Sequence, residues 1–439
     1  DRMAAALGAL VILCAAGFAQ GFSYISPSSS ESAAARVPDS VVVMPFENRS
    51  QIAKYNWICD SFAILIGDVL DAQGIGVVNI DRRNTAFEKM NLSPSDLLTR
   101  AAMIHVAGAA QANLALVGEF DIGENKEGVT ISIAARLIET SEGRLVGAKT
   151  FNYSGPLSNL QEWQGQLAWN IVYERNLAPP YSKEQMISRA KQVPPVAYES
   201  FVKGIQTRDL KLRESFLLRA IQECDNSGGA SHFPQAIHEL GALYYRQADF
   251  AEAARFFKRL GKDDPTYTES LFYLGLAAYK AGDINEASSA FERLIEMTPS
   301  LEAVNNAGAV LLAKGENEKA LQLLRRALAN SPNDMLYRFN FGYAQWRAQN
   351  FAEAIQHLRV VAEADPRDGE AQFLLAKALA ALGLKAEATQ ADDEAKRYLS
   401  NYARWTVAPD RIPTLTRFKE ELDRAAFYKM EGRWRIKIR

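Results

Sequence analysis

Four histidines, three cysteines and two adjacent aspartate pairs are the residues best equipped for chemistry, and their spacing argues against most of it. His105, His232, His238 and His357 are scattered, and none stands at metal-ligand spacing from another histidine or a cysteine. Cys14, Cys59 and Cys224 form no CxxC pair, and 59 and 224 are too few to make a disulfide framework. Cys59 and Cys224 therefore read as small buried hydrophobes. Asp263-Asp264 and Asp392-Asp393 have the form of paired carboxylates for acid–base work. Both are expected at helix ends, where acids are structural or solvated. GxGxxG, GxxxxGK and GxSxG are all absent. The sequence thus assigns no catalytic residue, metal or cofactor. The one route left to an enzyme is a site assembled in the first domain from residues distant along the chain.

What remains is binding. The 439 residues are 48% hydrophobic and 23% charged, enough for about three domains with buried cores. Lys plus Arg is 50 against 52 Asp plus Glu, a net charge of −2, which gives no sign of a nucleic-acid partner. Residues 4–19 are almost wholly apolar and small, follow Arg2, and end with Gly17 and Ala19 at −3 and −1 of a cut before Gln20. Residues 1–22 therefore predict a secretory signal peptide or, if uncleaved, an N-terminal anchor offering membrane contact. Leu13 before Cys14 speaks against a lipoprotein site. The serine-rich residues 23–40 predict a flexible linker.

Residues 41–176 read as an α/β domain with the order βαβαβββα and one mixed sheet. The run 41–46 is a buried strand. A helix is expected over 57–72, from Ile58, Phe62, Leu65, Ile66 and Val69, followed by a strand over 77–80. Ser93 or Ser95 would cap a helix reaching Gly108, with Asp96 in its first turn. Strands follow over 113–120, 129–137 and 145–153, the second with strict alternation, and a helix over 158–175. Val43-Met44-Pro45-Phe46-Glu47-Asn48 resembles the V-x-P-F-x-N opening of the envelope α/β family that includes the TolB amino-terminal domain and curli-secretion and flagellar outer-membrane proteins. Asp60, Ser61, Val77-Val78, Ala112-Asn113 and Val117-Gly118-Glu119-Phe120 continue the likeness. It implies a module that works through protein contacts in the bacterial envelope.

The remainder is periodic. Gly241, Gly275, Gly308 and Gly342 stand 34, 33 and 34 residues apart, and Ala376 follows at 34. Pro265, Pro299, Pro332 and Pro366 repeat in step, as do Ala253, Ala287, Ala320, Ala354 and Ala388. Leu240-Gly241, Leu274-Gly275 and Phe341-Gly342 resemble the Leu-Gly centre of the tetratricopeptide repeat, with Phe257, Phe291, Leu324 and Leu358 at its later large position. The implied fold is an all-α solenoid of five repeats over 234–402 (234–267, 268–300, 301–334, 335–368 and 369–402). A degenerate unit over 198–233 precedes it, behind a hinge at 177–197 bracketed by Pro179-Pro180 and Pro194-Pro195.

Stacked first helices line the concave groove of such a solenoid. From the Gly/Ala register the groove candidates are His238, Tyr245, Phe272, Tyr279, Asn305, Phe339, Tyr343, Trp346, Phe373 and Lys377. An aromatic trough suits an extended peptide or a helix, although some of these rings would instead pack between repeats. Over 403–439, Leu415, Phe418, Leu422, Ala426 and Met430 recur at helical spacing and predict a capping helix with a basic tail. From Lys396 onward there are 12 Lys or Arg against 5 Asp or Glu. The last eight residues offer an alternative contact with anionic lipid or an acidic partner. The leading expectation is an exported scaffold in the bacterial envelope, with a protein or peptide in the groove and a second envelope protein on the α/β domain. The alternatives are an oligomeric outer-membrane assembly or secretion component, and a ligand-sensing α/β domain coupled to the repeats.

Overall fold

The computed structural model describes residues 40–71, 76–94, 98–174, 181–227, 232–408 and 412–423. The expected leader and linker, Ser95, Asp96, Pro179-Pro180 and everything from 424 onward, including Ala426 and Met430, lie outside the described residues.

The chain opens with β1 (Ser40–Val43), β2 (Glu47–Asn48), α1 (Ile58–Asp71), β3 (Gly76–Val78), α2 (Ile80–Lys89) and α3 (Arg100–Ala109). Next come β4 (Leu114–Asn125), β5 (Gly128–Glu139), β6 (Arg144–Leu145), β7 (Phe151–Pro156) and α4 (Leu160–Glu174). The strands form one mixed sheet in the order β3-β1-β4-β5-β6, with β2 also on β4 and β7 also on β5. Pairing is parallel from β3 through β1 to β4 and antiparallel beyond. Both faces are covered, which is why 41–44 is apolar without alternation. Val41 and Val43 pack with α1 and α4, while Val42 and Met44 pack with α2 and α3. The β4–β5 hairpin closes where Asn125 Oδ1 accepts the N–H groups of Glu127 and Gly128 at 2.9 and 3.0 Å.

Several expectations need correction. Ile80 is not a strand end; it opens α2, because Asn79 caps that helix by accepting from the Arg82 N–H at 2.8 Å. Thr99, and not Ser93, caps α3, accepting from the Ala102 N–H at 3.2 Å. The strand expected over 145–153 is split into β6 and β7 by a tight turn in which Gly147 takes φ 68°. The family-motif residues act in the scaffold. Asn48 Nδ2 donates to Ile52 O and Asn56 Oδ1, and Asn113 Oδ1 accepts the Ser40 N–H at 2.7 Å. Gly118 admits the Phe46 ring, which a Cβ there would meet at 2.3 Å.

The hinge is the largest correction before the repeats. Within 181–197 lies α5 (Lys183–Ala190), with a full capping box between Ser182 and Gln185. It packs on α4 so closely that a Cβ at Gly165 would lie 2.9 Å from that of Ala190. Gln161 Nε2 ties down the carbonyls of Ala190 and Val193 at 3.3 and 3.0 Å. Pro195 is the first residue of a helix, so the degenerate pair starts there: α6 (Pro195–Gln206) and α7 (Leu210–Asp225). A continuous core runs from Val41 through Tyr198, Phe201 and Leu240 to Leu260, joining the sheet domain to the first helices.

Five helical pairs follow: α8 (Pro234–Arg246) and α9 (Phe250–Phe257), α10 (Tyr267–Lys280) and α11 (Ile284–Met297), α12 (Leu301–Lys314) and α13 (Asn317–Asn330), α14 (Met335–Arg347) and α15 (Phe351–Ala364), α16 (Gly369–Ala381) and α17 (Lys385–Tyr398). The register glycines admit the later large residue of the same pair. A Cβ at Gly275 would meet Phe291 at 2.6 Å, and one at Gly308 would meet Leu324 at 2.7 Å. A short α18 (Tyr402–Val407) ends the stack, with Trp405 edge-on to Phe373 at 5.4 Å.

No capping helix forms from Leu415, Phe418 and Leu422. Residues 412–423 carry no regular secondary structure. Pro413 and the β-branched Thr414 and Thr416 disfavour helix there, and the backbone beyond them is bonded elsewhere, as follows.

Candidate polypeptide-binding groove

Residues 412–423 lie along the first helices of the repeats, running back from the fifth repeat toward the second. Leu415 is buried in the core of the last repeats and Leu422 in that of the middle ones. Between them the backbone is held by asparagines. Asn340 on α14 donates Nδ2–H to Arg417 O at 2.6 Å and accepts the Arg417 N–H at 2.8 Å. Asn306 on α12 does the same for residue 419: Nδ2–H to Lys419 O at 2.8 Å, and Lys419 N–H to Oδ1 at 2.9 Å. Asn305 adds a weaker donation to Arg417 O at 3.3 Å. Contacts at alternate residues match the period of an extended chain. The Asn340 and Asn306 amides each engage one N–H and one C=O, as a neighbouring strand would. The three asparagines are fully buried and linked, Asn340 to Asn305 at 2.9 Å and Asn305 to Asn306 at 3.1 Å. Buried amides are costly unless satisfied, and here the backbone of residues 417 and 419 satisfies them.

The side chains of the segment meet complementary charge. Arg417 makes two 2.7 Å bonds to the Asp368 carboxylate and one of 3.1 Å to Glu370, with its guanidinium 3.4 Å from the centre of the Phe339 ring. Lys419 pairs with Asp334 at 2.6 Å. Asp334 and Asp368 are also the N-caps of α14 and α16. At the other end Lys280 bonds Glu420 at 2.7 Å. Burial pulls the Lys280 ammonium down, but Glu420 and Tyr245 together hold it above its ordinary value. The Phe418 ring lies 4.4 Å from that of Tyr279.

Of the groove candidates named from sequence, Tyr279, Asn305 and Phe339 touch the segment. The others serve packing or the groove margin. His238 is buried against Ser270 Oγ at 2.7 Å, and Phe272 meets Tyr273 and Phe291 edge-on. Tyr245 stands edge-on to Phe250 and Tyr273, while Lys280 Nζ is 5.4 Å from the centre of its ring. Tyr343 stacks between Phe339 and Trp346, at 6.5 and 6.2 Å. Phe373 faces Tyr402 and Trp405, and the exposed Lys377 lies over it at 5.1 Å. Sequence reasoning missed Asn306, Asn340, Asp334, Asp368, Glu370 and Lys280. One signal was available: Asn306 and Asn340 both stand two residues before the register glycine, 34 apart, a polar side chain recurring on a buried helix face.

The remaining chemical candidates stay apart. His232 Nε2 and Asp264 share a 2.8 Å contact at the surface. Asp392-Asp393 lies inside α17 and not at its end, and Asp392 accepts from the Tyr402 hydroxyl at 2.5 Å. Burial, and then Asp60, push the Cys59 thiol up to about 11, which keeps it protonated and unreactive. Among the described residues no three His, Cys, Asp or Glu are grouped to hold a metal ion, and no helix is long and apolar enough to cross a membrane. An open cleft of about 400 Å³ is lined by residues that include Trp57, Val129, Gln161, Tyr198 and Glu199. Gln161 is already bonded to two backbone carbonyls there.

Comparison with known proteins agrees with the repeat geometry. One tetratricopeptide-repeat family model matches residues 238–287 and 272–334, and another matches 311–378. No curated protein matches the chain. Among solved structures, MamA is 23% identical over 38% of this chain and 97% of its own, with a TM-score of 0.34. YrrB, described as a TPR protein with an unusual peptide-binding site, is 19% identical over 44% of this chain and 97% of its own, at 0.37. A MamA RS-1 double mutant gives 20%, 39%, 96% and 0.36 for the same four measures. By the family models alone, residues 238–378, which supply most of the groove, are an array of tetratricopeptide repeats.

Proposed function

We propose that this chain is a non-catalytic adaptor of the bacterial cell envelope, whose repeat groove holds an extended stretch of another polypeptide. The reading is carried by one observation: Asn306 and Asn340 each satisfy both the N–H and the C=O of one residue in the groove. Buried amides placed in this way offer one donor and one acceptor at the spacing of a peptide unit, and so suit an extended backbone. The α/β domain would dock on a second envelope protein, as its likeness to the TolB amino-terminal family suggests, and residues 1–22 would direct export. The full chain, screened against a random peptide library at concentrations high enough to displace residues 412–423, should select extended peptides. The double substitution Asn306→Ala, Asn340→Ala should lose them while keeping its helical content. Undiminished selection by that variant would remove the groove from the account. Export is a separate question, answered by fusing residues 1–22 to alkaline phosphatase, which is active only outside the cytoplasm; an inactive fusion would defeat the envelope assignment.

A further inference from the structure

The groove already contains a polypeptide, and its side chains show what the partner must carry. The asparagine contacts read only backbone, so they accept any extended sequence. Selectivity has to come from the side chains that flank them. Arg417 fits a planar, doubly bonding cation into Asp368, over the face of Phe339; a lysine there would lose the two-point geometry. The next residue supplies a ring to Tyr279, and the one after it a cation to Asp334. A carboxylate follows for Lys280. Leu415 and Leu422 close the two ends in apolar pockets. Three carboxylates at the centre of the groove repel an acidic peptide in this position.

We infer that the partner of this groove is an extended segment with the order Leu-x-Arg-aromatic-Lys-acid-x-Leu, and that residues 412–423 of this chain are a built-in competitor for it. The inference rests on the groove reading proposed above and adds the motif and the competition. Tethering gives the internal segment an effective concentration in the millimolar range. A free peptide with the same contacts therefore meets a groove that is open only a small fraction of the time, and its apparent affinity falls by that fraction.

The test uses the full chain and a fluorescein-labelled synthetic peptide with the sequence of residues 412–423. Arg417→Glu in the chain sets a carboxylate against Asp368 and Glu370 and should release the internal segment. The labelled peptide should then bind this variant at least about tenfold more tightly than wild type. Phe418→Ala, a milder release, should fall between the two and guards against a folding defect in the charge reversal. A scrambled peptide of the same composition should bind the released groove at least about tenfold more weakly than the ordered one. Equal binding to wild type and both variants would overturn the competition. Equal binding of ordered and scrambled peptides would overturn the motif while leaving a groove that takes polypeptide. Binding of neither peptide to either released variant would overturn both this inference and the reading it stands on.

Discussion

The joint between the sheet domain and the first helical pair, and the seat of residues 412–423 on the later repeats, are both contacts between distant parts of one chain. They are made of opposite materials. At the joint Tyr198 lies edge-on to Trp57 at 6.4 Å, gives its hydroxyl to Ser61 O at 2.6 Å, and shares one apolar core with α1, α4 and α6. On the groove the segment is held by amide–backbone bonds and ion pairs, with Leu415 and Leu422 as its only buried residues. Apolar burial is non-directional and scales with area, so it fuses two parts into one cooperative unit. Polar contacts gain little net free energy over water, because every bond to the segment replaces a bond to solvent. A joint of the first kind is permanent, and a seat of the second kind can change occupant. The difference teaches that contact within one chain does not by itself say which contacts are meant to open.

The strongest way to break this contrast is at the joint. Tyr198→Ala removes a buried ring and its hydroxyl, and should destabilise the protein by about 3–5 kcal/mol, as large-to-small core changes do. Urea unfolding monitored by circular dichroism should shift as a single transition, since sheet and first repeats share a core. Two separated transitions, with the repeats unchanged, would mean that the joint is a hinge after all.

That expectation of a hinge shows what the sequence could and could not say. The solenoid was legible because its signal is repeated: one spacing, carried by glycine, proline and alanine, predicts all five pairs, and the structure supplies them. The sheet domain was legible in outline, because runs such as 41–44 and the alternation at 131–137 have few other readings. The hinge was misread from its prolines. Pro195 starts a helix, where a missing N–H costs nothing, and Gly165, which makes room for α5, carries no local sign of its partner. The C-terminal segment was misread for the opposite reason. Leu415, Phe418 and Leu422 fall at helical spacing, but they reach separate contacts from a non-helical backbone whose bonds are made by Asn306 and Asn340, over 75 residues away in sequence. Local periodicity cannot register a competitor that distant.

A smaller effect is expected at the seat. Asn340→Ala strips two backbone bonds from residue 417 and one from Asn305, which should cost the docked segment about 1–3 kcal/mol. Amide hydrogen exchange over 412–423 should accelerate by roughly tenfold or more, with α1 and α6 unaffected. Acceleration that spread equally to α1 and α6 would make the seat as permanent as the joint.

Salt should separate the two contacts more gently. Raising ionic strength from about 0.1 to 1 M shortens the screening length from ~10 to ~3 Å. The pairs Lys419–Asp334 and Lys280–Glu420 are partly exposed and should weaken by under ~1 kcal/mol each. Exchange over 412–423 should rise a few-fold, while the joint, which has little charge to screen, keeps its rate or slows. A salt-insensitive segment would show that the leucines hold it and the ions do not.

The smallest effect is a pH dependence confined to the groove side. His357 on α15 lies edge-on to Phe341 at 4.9 Å, and burial, followed by the charge of Arg338, holds its imidazole below the ordinary value of 6.5. The folded state therefore keeps His357 neutral at a pH where the unfolded chain already binds a proton. Stability is complete above the unfolded value and declines as pH falls through 6.5 toward the lowered folded value, below which the loss levels off. Since α15 backs α14, which carries Phe339 and Asn340, acidification from pH 7.5 to 5.5 should loosen the fourth repeat and quicken exchange of residues 412–423 slightly. His357→Leu should reduce that acid response and leave the exchange of α6 at the joint as it was. Identical acid responses in His357→Leu and wild type would place the titrating group elsewhere and remove pH from the ways these two contacts differ.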